Sequence, residues 1–158
     1  GNKNRHSSTL EHLVYTFSID GISRACLQEL ARHRIASYSV KSTRYTLKEL
    51  KDTNTCELEK FLIEDIDPVV KSSAIDSLRN IKTLLNLPNA KMDAIKYALP
   101  ECYKTSLTWT INARSLQNFL SLRSSKAALK EIRELALKVF DSLPEDHKFI
   151  FTDCIAKD

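Results

Sequence analysis

Apolar and polar residues alternate in two short segments of the chain, residues 13–19 and residues 106–111. Alternation of this kind is typical of a β-strand that buries one face and exposes the other. The apolar positions are Leu13, Tyr15, Phe17 and Ile19 in the first segment and Leu107, Trp109 and Ile111 in the second. The pattern therefore predicts two strands, and Asp20-Gly21 is expected to end the first of them.

Elsewhere the apolar residues recur at helical spacing. The clearest case is residues 125–143, whose apolar face is formed by Ala128, Ile132, Leu135 and Val139. The predicted helices cover residues 22–33, residues 57–87 with a break near Pro68, residues 91–98, the segment from about residue 113, residues 125–143 and residues 145–155. Residues 39–46 are predicted to be extended. Together these elements predict a helix-rich α+β fold with a small, mainly antiparallel sheet.

The length of 158 residues favours a single domain spanning residues 1–158. The chain begins with Gly1 and not with methionine, and we expect a natural N-terminal segment to be missing from it. No apolar run is long enough to cross a membrane and no signal peptide opens the chain, so we expect a cytoplasmic protein. The four cysteines are widely spaced and are expected to be free thiols.

The net charge of +4 is unevenly distributed along the sequence. Residues 1–45 contain seven Lys or Arg and three Asp or Glu, whereas residues 46–158 contain seventeen of each. The basic excess is small enough to arise by chance. It also fits a site for an anionic ligand that is built mainly from the first third of the chain.

The most informative stretch of that basic third begins with Arg32-His33-Arg34 and continues to Ser42 and Arg44. Guanidinium forks and hydroxyls are groups that hold phosphate. Only two glycines occur in the chain, which excludes the glycine-rich phosphate loops. In an extended segment Ser42 and Arg44 would share one face and could grip one phosphate. The alternatives are a solvated edge strand, and cations that merely complement a helix C-terminus.

A second polar block opens the helix after the second strand. Asn112 fits as the N-cap, and Arg114 lies in the first turn, where a cation opposes the helix dipole and calls for an anionic partner. On an ideal helix Asn118 lies about 40° from Arg114 and Arg123 about 180° from it. Arg123 would therefore serve a different pocket, for instance at a subunit interface, unless it is simply a surface residue.

A third block runs from His6 to His12 near the start of the chain. Ser8 could cap a helix there, with Glu11 three residues later completing a capping box. The two histidines lack the spacing of a helical metal pair, so no metal site is expected.

The three blocks together resemble the flavin-dependent thymidylate synthase family. That family carries Arg-His-Arg, seven residues and a serine, matched here by residues 32–42, usually with an arginine two further on, matched by Arg44. Its strand-to-helix block is matched by residues 112–123, and its His-to-Glu-His block by residues 6–12. The blocks occur in family order and span most of the chain.

The resemblance implies reductive methylation of dUMP to dTMP. Methylenetetrahydrofolate would donate the carbon and leave as tetrahydrofolate, and FAD reduced by NADPH would supply electrons. It implies a homotetramer with active sites shared between subunits, and no nucleic-acid partner. The implied FAD-binding residues are Ser8, Glu11, Arg32, His33, Arg34, Asn112, Arg114 and Asn118. Ser42 and Arg44 would hold the dUMP phosphate, Arg123 would stabilise charge on the uracil, and His6 would lie on the folate and nicotinamide side.

Three positions depart from the family pattern. Glu29, a further candidate substrate-binding residue, replaces a frequent glutamine and would repel phosphate unless it pairs with an arginine or points away. Val40 replaces a glutamate, and Lys96 replaces an arginine at a substrate-binding position, which keeps the charge but loses the fork. The alternatives to this function are a basic nucleic-acid-binding module and an inactive structural relative. Balanced charge after residue 45 disfavours the first, and both arginine blocks disfavour the second.

Overall fold

The computed structural model describes residues 7–156 of the chain. Its strands are β1 (Val14–Ser23), β2 (Ala36–Val40) and β3 (Lys104–Asn112). Its α-helices are α1 (Arg24–Leu30), α2 (Thr43–Asp52), α3 (Pro68–Leu85), α4 (Met92–Ile95), α5 (Ala113–Arg123) and α6 (Lys130–Asp141). Short 3-10 helices cover Ser7–Glu11, Thr55–Phe61, Lys96–Ala98, Glu145–Ile150 and Thr152–Cys154. The predicted helix-rich fold with a small antiparallel sheet is confirmed.

The three strands form one sheet in the order β1-β3-β2. In β3 the apolar face predicted from the alternation is the buried one, with Leu107, Trp109 and Ile111 almost inaccessible to solvent. The prediction that β1 ends at Asp20-Gly21 is wrong, because the strand continues to Ser23. Gly21 adopts a φ of +75°, which glycine reaches without steric cost, and so the strand passes through it.

Two compact units share the chain, and each strand contributes residues to both. The first unit contains described residues 7–19, 28–39 and 108–156, and the second contains residues 20–27 and 40–107. Large buried side chains of the first unit include Leu30, Trp109, Leu116, Phe119 and Phe151. Those of the second include Leu47, Leu50, Leu78, Ile81 and Tyr103. The expectation of a single domain stays a prediction.

The extended conformation predicted for residues 39–46 is confirmed for residues 39–40 and for Ser42 but is wrong for residues 43–46. Strand β2 ends at Val40, Ser42 is the N-cap residue of α2, and the helix begins at Thr43. Thr46, Leu47 and Leu50 recur at helical spacing and are buried, so tertiary packing favours the helix. Serine before a helix is also a frequent start signal.

The interactions of neighbouring residues explain where two other helices begin. The break near Pro68 is confirmed, since a 3-10 helix ends at Phe61 and α3 begins at Pro68, capped by Asp67. Helix α6 begins at Lys130, five residues later than predicted. The Ser125 hydroxyl accepts a hydrogen bond from the N–H of Ala127, and such local bonding competes with a helix.

Within residues 7–156, no helix combines the length and the apolar character that a membrane crossing requires.

Candidate functional site

The Arg-His-Arg triplet follows α1 as a tight turn in the first unit. The His33 N–H donates to the Leu30 carbonyl at 3.1 Å, and the Tyr38 hydroxyl donates to the carbonyls of Leu30 and His33 at 2.9 and 2.6 Å. The His33 side chain is buried, whereas Arg32 and Arg34 are exposed. The turn therefore directs the histidine inward and leaves two guanidinium groups accessible to a ligand.

The buried histidine belongs to a cluster with Arg123 and Glu29. The Arg123 Nε donates to His33 Nε2 at 3.1 Å, and one terminal nitrogen donates to Glu29 Oε2 at 2.8 Å. The other terminal nitrogen donates to the Glu29 backbone carbonyl at 3.4 Å. Phe119 meets the His33 ring edge to face, with 5.0 Å between ring centres. Residues from the end of α1, the turn after it and the end of α5 thus converge on one guanidinium.

The hydrogen bond from Arg123 decides the protonation state of His33. An Nε2 atom that accepts a hydrogen bond carries a lone pair, so the imidazole is neutral and its proton lies on Nδ1. Burial, followed by the positive charge of Arg123, lowers the pKa of His33, while Glu29 acts in the opposite direction. The cluster therefore holds one charged guanidinium between a carboxylate and a neutral ring.

A second arginine lies at the beginning of α5. Asn112 caps the helix as predicted, because its side-chain oxygen accepts from the Ser115 N–H at 2.9 Å. Arg114 donates to the carboxylate of Glu11. This carboxylate is an anionic partner for the cation that opposes the helix dipole. Both side chains remain about half exposed, so a ligand could reach them.

Three further residues were predicted on the flavin side, namely Ser8, Asn118 and His6. Asn118 on α5 and Ser8 in the first 3-10 helix are exposed. His6 lies outside the described residues. Arg114 and Arg123 bind different carboxylates, which agrees with their predicted separation around the helix.

Three of the predicted substrate-binding residues, Ser42, Arg44 and Lys96, lie in the second unit, whereas Glu29 and Arg123 lie in the first. Ser42 caps α2 by position only, because its hydroxyl makes no capping hydrogen bond. Arg44 occupies the first turn of α2 and not an extended segment, so the predicted shared face with Ser42 is wrong. Residues two apart on a helix do not face each other.

Sequence reasoning missed a carboxylate at this place. Asp93 on α4 lies 3.9 Å from the Arg44 Nε and 4.0 Å from the Lys96 ammonium. Arg44 and Lys96 thus both approach one exposed anion. The three-residue spacing of Asp93 and Lys96 was the available signal, because such pairs meet on one helix turn. Only the fold brings Arg44 to them.

The exposed groups suit a large anionic cofactor. Within the described part of the chain, Arg32 and Arg34 form no ion pair with protein carboxylates, and Arg114 and Asn118 are exposed. Guanidinium and amide groups are donors that fit diphosphate oxygens and ring carbonyls. Residues 7–156 contain no group of three or more histidine, cysteine or acidic side chains that could hold a metal ion.

Comparison with known proteins assigns the chain to a family. The family model described as thymidylate synthase complementing protein matches residues 2–147, and the chain belongs to that family. A protein of Wolinella succinogenes named flavin-dependent thymidylate synthase is 57% identical over 157 residues, which cover 96% of this chain and 76% of the relative. A Campylobacter jejuni protein of the same name is 56% identical over 164 residues, and the match covers 100% of this chain and 79% of the relative.

A solved structure agrees with this assignment. The crystal structure of thymidylate synthase X from Helicobacter pylori with FAD and dUMP has a TM-score of 0.89 and 53% identity, covering 98% of this chain and 79% of that chain. The family predicted from the three sequence blocks is confirmed.

Proposed function

We propose that this protein is a flavin-dependent thymidylate synthase that methylates dUMP to dTMP. Methylenetetrahydrofolate donates the carbon and leaves as tetrahydrofolate, and NADPH is the reductant. FAD supplies the electrons when it is bound. The observation that carries the proposal is the Arg123 cluster, found in a chain that is more than half identical to proteins of this name.

In this proposal the first unit holds the flavin. Arg32 and Arg34 bind its phosphates, because they are exposed cations without protein carboxylate partners among residues 7–156. The remaining flavin-binding residues are Ser8, Glu11, His33, Asn112, Arg114 and Asn118. Glu11 keeps the Arg114 guanidinium oriented at the start of α5. His6 is assigned to the folate and nicotinamide side from the family resemblance alone.

Substrate recognition combines a phosphate group and a pyrimidine ring. Ser42, Arg44 and Lys96 bind the dUMP phosphate, supported by an unengaged hydroxyl at an N-cap and two cations that already attract an anion. Arg123 donates to the uracil carbonyls and stabilises the negative charge that develops on them. The assembly is a homotetramer whose sites combine residues of different subunits. Arg114 and Arg123 support this arrangement, since they point to different carboxylates.

The test of this function is optical and chemical. Purified protein supplied with FAD should be yellow, should bleach with NADPH without oxygen, and should recover its colour in air. Addition of dUMP and methylenetetrahydrofolate to the reduced protein should yield dTMP. A protein that cannot be loaded with FAD, or that reoxidises without forming dTMP, would contradict the proposal.

A further inference from the structure

Glu29 lies in the last turn of α1, and Arg123 is the last residue of α5. The two side chains are 94 positions apart in sequence, and their pairing is therefore a product of the fold. A carboxylate at this position would repel a substrate phosphate. Its pairing with Arg123 removes that conflict and gives the carboxylate a different task.

Three hydrogen bonds hold the Arg123 guanidinium in one orientation. A guanidinium is flat and has five N–H bonds. Three of them are directed to His33 Nε2, to the Glu29 carboxylate and to the Glu29 carbonyl. One N–H remains on each terminal nitrogen. These two N–H groups are the donors of Arg123 that remain for a ligand with acceptor atoms, among the contacts of the described residues.

The burial of the pair separates it from ordinary surface ion pairs. The Arg123 side chain is 17% exposed and that of Glu29 is 28% exposed, whereas the surface pair of Lys130 and Glu134 is 61% and 50% exposed. The restricted exposure limits alternative rotamers of Arg123. Part of the Arg123 side chain nevertheless remains exposed.

We propose that Glu29 is a positioning residue, which orients the Arg123 guanidinium toward the substrate ring without touching the substrate itself. The proposal rests on the proposed function. It assigns the carboxylate at this position to Arg123 and not to the dUMP phosphate. His33 helps to position Arg123 in the same way, because its Nε2 accepts the hydrogen bond from the Arg123 Nε.

The test compares Glu29→Ala, Glu29→Gln and the control Glu134→Gln in the FAD-loaded enzyme. We expect Glu29→Ala to lower kcat by about tenfold to a hundredfold, because small misplacements of a catalytic group have effects of this size. The KM for dUMP should change by less than about threefold. Glu29→Gln retains an acceptor oxygen for Arg123 and should recover most of kcat. Glu134→Gln should equal the wild type.

A second pair of variants separates positioning from direct binding. In an Arg123→Lys background the three-point attachment is absent, so adding Glu29→Ala should lower kcat by less than about threefold. A rise in KM without loss of kcat, full activity of Glu29→Ala, or an undiminished effect in the Arg123→Lys background would overturn the positioning role. A wild type that forms no dTMP would instead reject the proposed function. Thermal unfolding of every variant shows whether lost activity reflects lost fold.

Discussion

At the scale of single residues, the protein pairs several of its predicted site cations with its own carboxylates. Arg123 is bound by Glu29 and by a neutral His33, while Arg44 and Lys96 both approach Asp93. The first arrangement is half-buried and hydrogen-bonded, and the second is exposed and loose. The first therefore fixes an orientation, whereas the second can give way to a substrate anion.

The neutral state of His33 makes stability depend on pH. Burial and Arg123 lower the pKa of His33 in the folded protein, so the unfolded chain binds a proton more readily. Stability then rises with pH where the unfolded state binds more protons. The contribution should be fully present above about pH 6.5, the ordinary histidine value, and should decline as the pH falls below it.

The measurement is chemical unfolding at pH 7.5 and at pH 5.5, with His147→Gln as the matched histidine control. We expect the wild type and the control to lose stability at the lower pH. His33→Gln should lose less between the two conditions, because its amide does not titrate. An equal loss in His33→Gln would show that the pH dependence has another source.

Asp93 should weaken the binding of dUMP, because its carboxylate occupies the neighbourhood of the two cations. We expect Asp93→Asn to lower the KM for dUMP by up to about fivefold, a small effect because the ion pairs are exposed. The difference should shrink at high salt. Asp76→Asn, which breaks the exposed pair with Arg79, is the control and should leave KM unchanged. A higher KM for Asp93→Asn would assign this residue to substrate binding.

At the scale of elements, several candidate site residues lie at helix N-termini. The N-cap residues differ in whether their side chains accept a capping hydrogen bond. Asp67 accepts hydrogen bonds from the N–H groups of Val69 and Val70 at 2.9 and 3.2 Å, and Asn112 accepts one from Ser115. Ser42 has the position of a cap but makes no such bond. The first two side chains stabilise their helices, whereas the Ser42 hydroxyl is available for another partner.

This contrast predicts opposite phenotypes for two alanine variants. Asp67→Ala should lower the free energy of unfolding by about 1 kcal/mol and leave the KM for dUMP unchanged. Ser42→Ala should change that free energy by less than about 0.5 kcal/mol and raise the KM about tenfold or more, because a hydrogen bond to a charged phosphate is lost. Denaturant titration and steady-state kinetics measure both. A destabilised Ser42→Ala enzyme with normal KM would identify Ser42 as an ordinary cap.

At the scale of the whole molecule, each of the two units has its own buried core, and the predicted site residues are divided between them. The Arg-His-Arg turn and α5 belong to the first unit, and Ser42, Arg44 and Lys96 belong to the second. The seven residues between Arg34 and Ser42 therefore connect motif residues that belong to different units.

The proposed homotetramer is tested by the mass of the particle. Light scattering of the FAD-loaded protein should give four times the mass of one chain. Mixing two inactive variants, Arg123→Ala and Arg114→Ala, under conditions that exchange subunits should restore part of the activity if sites are shared. A monomer that forms dTMP would refute both the tetramer and the shared site.

The local pattern was sufficient wherever neighbours in sequence decide the structure. The alternation of residues 106–111, the break at Pro68 and the cap at Asn112 each depend on a few adjacent side chains. The pattern failed at residues 43–46, because the helix that begins after Ser42 was assigned to an extended segment. It failed again at Gly21, since a glycine that is permitted to turn is not forced to do so.

By itself, the sequence determined the family of this protein, its α+β class and which polar and charged residues form its three polar blocks, because these are properties of residue type and spacing. Only the tertiary structure decided which charges meet. Glu29 and Arg123 are 94 residues apart, and no spacing rule relates them. Asp93 approaches Arg44 for the same reason. Ion pairs act over a few ångströms in space, and the fold alone turns distant positions into neighbours.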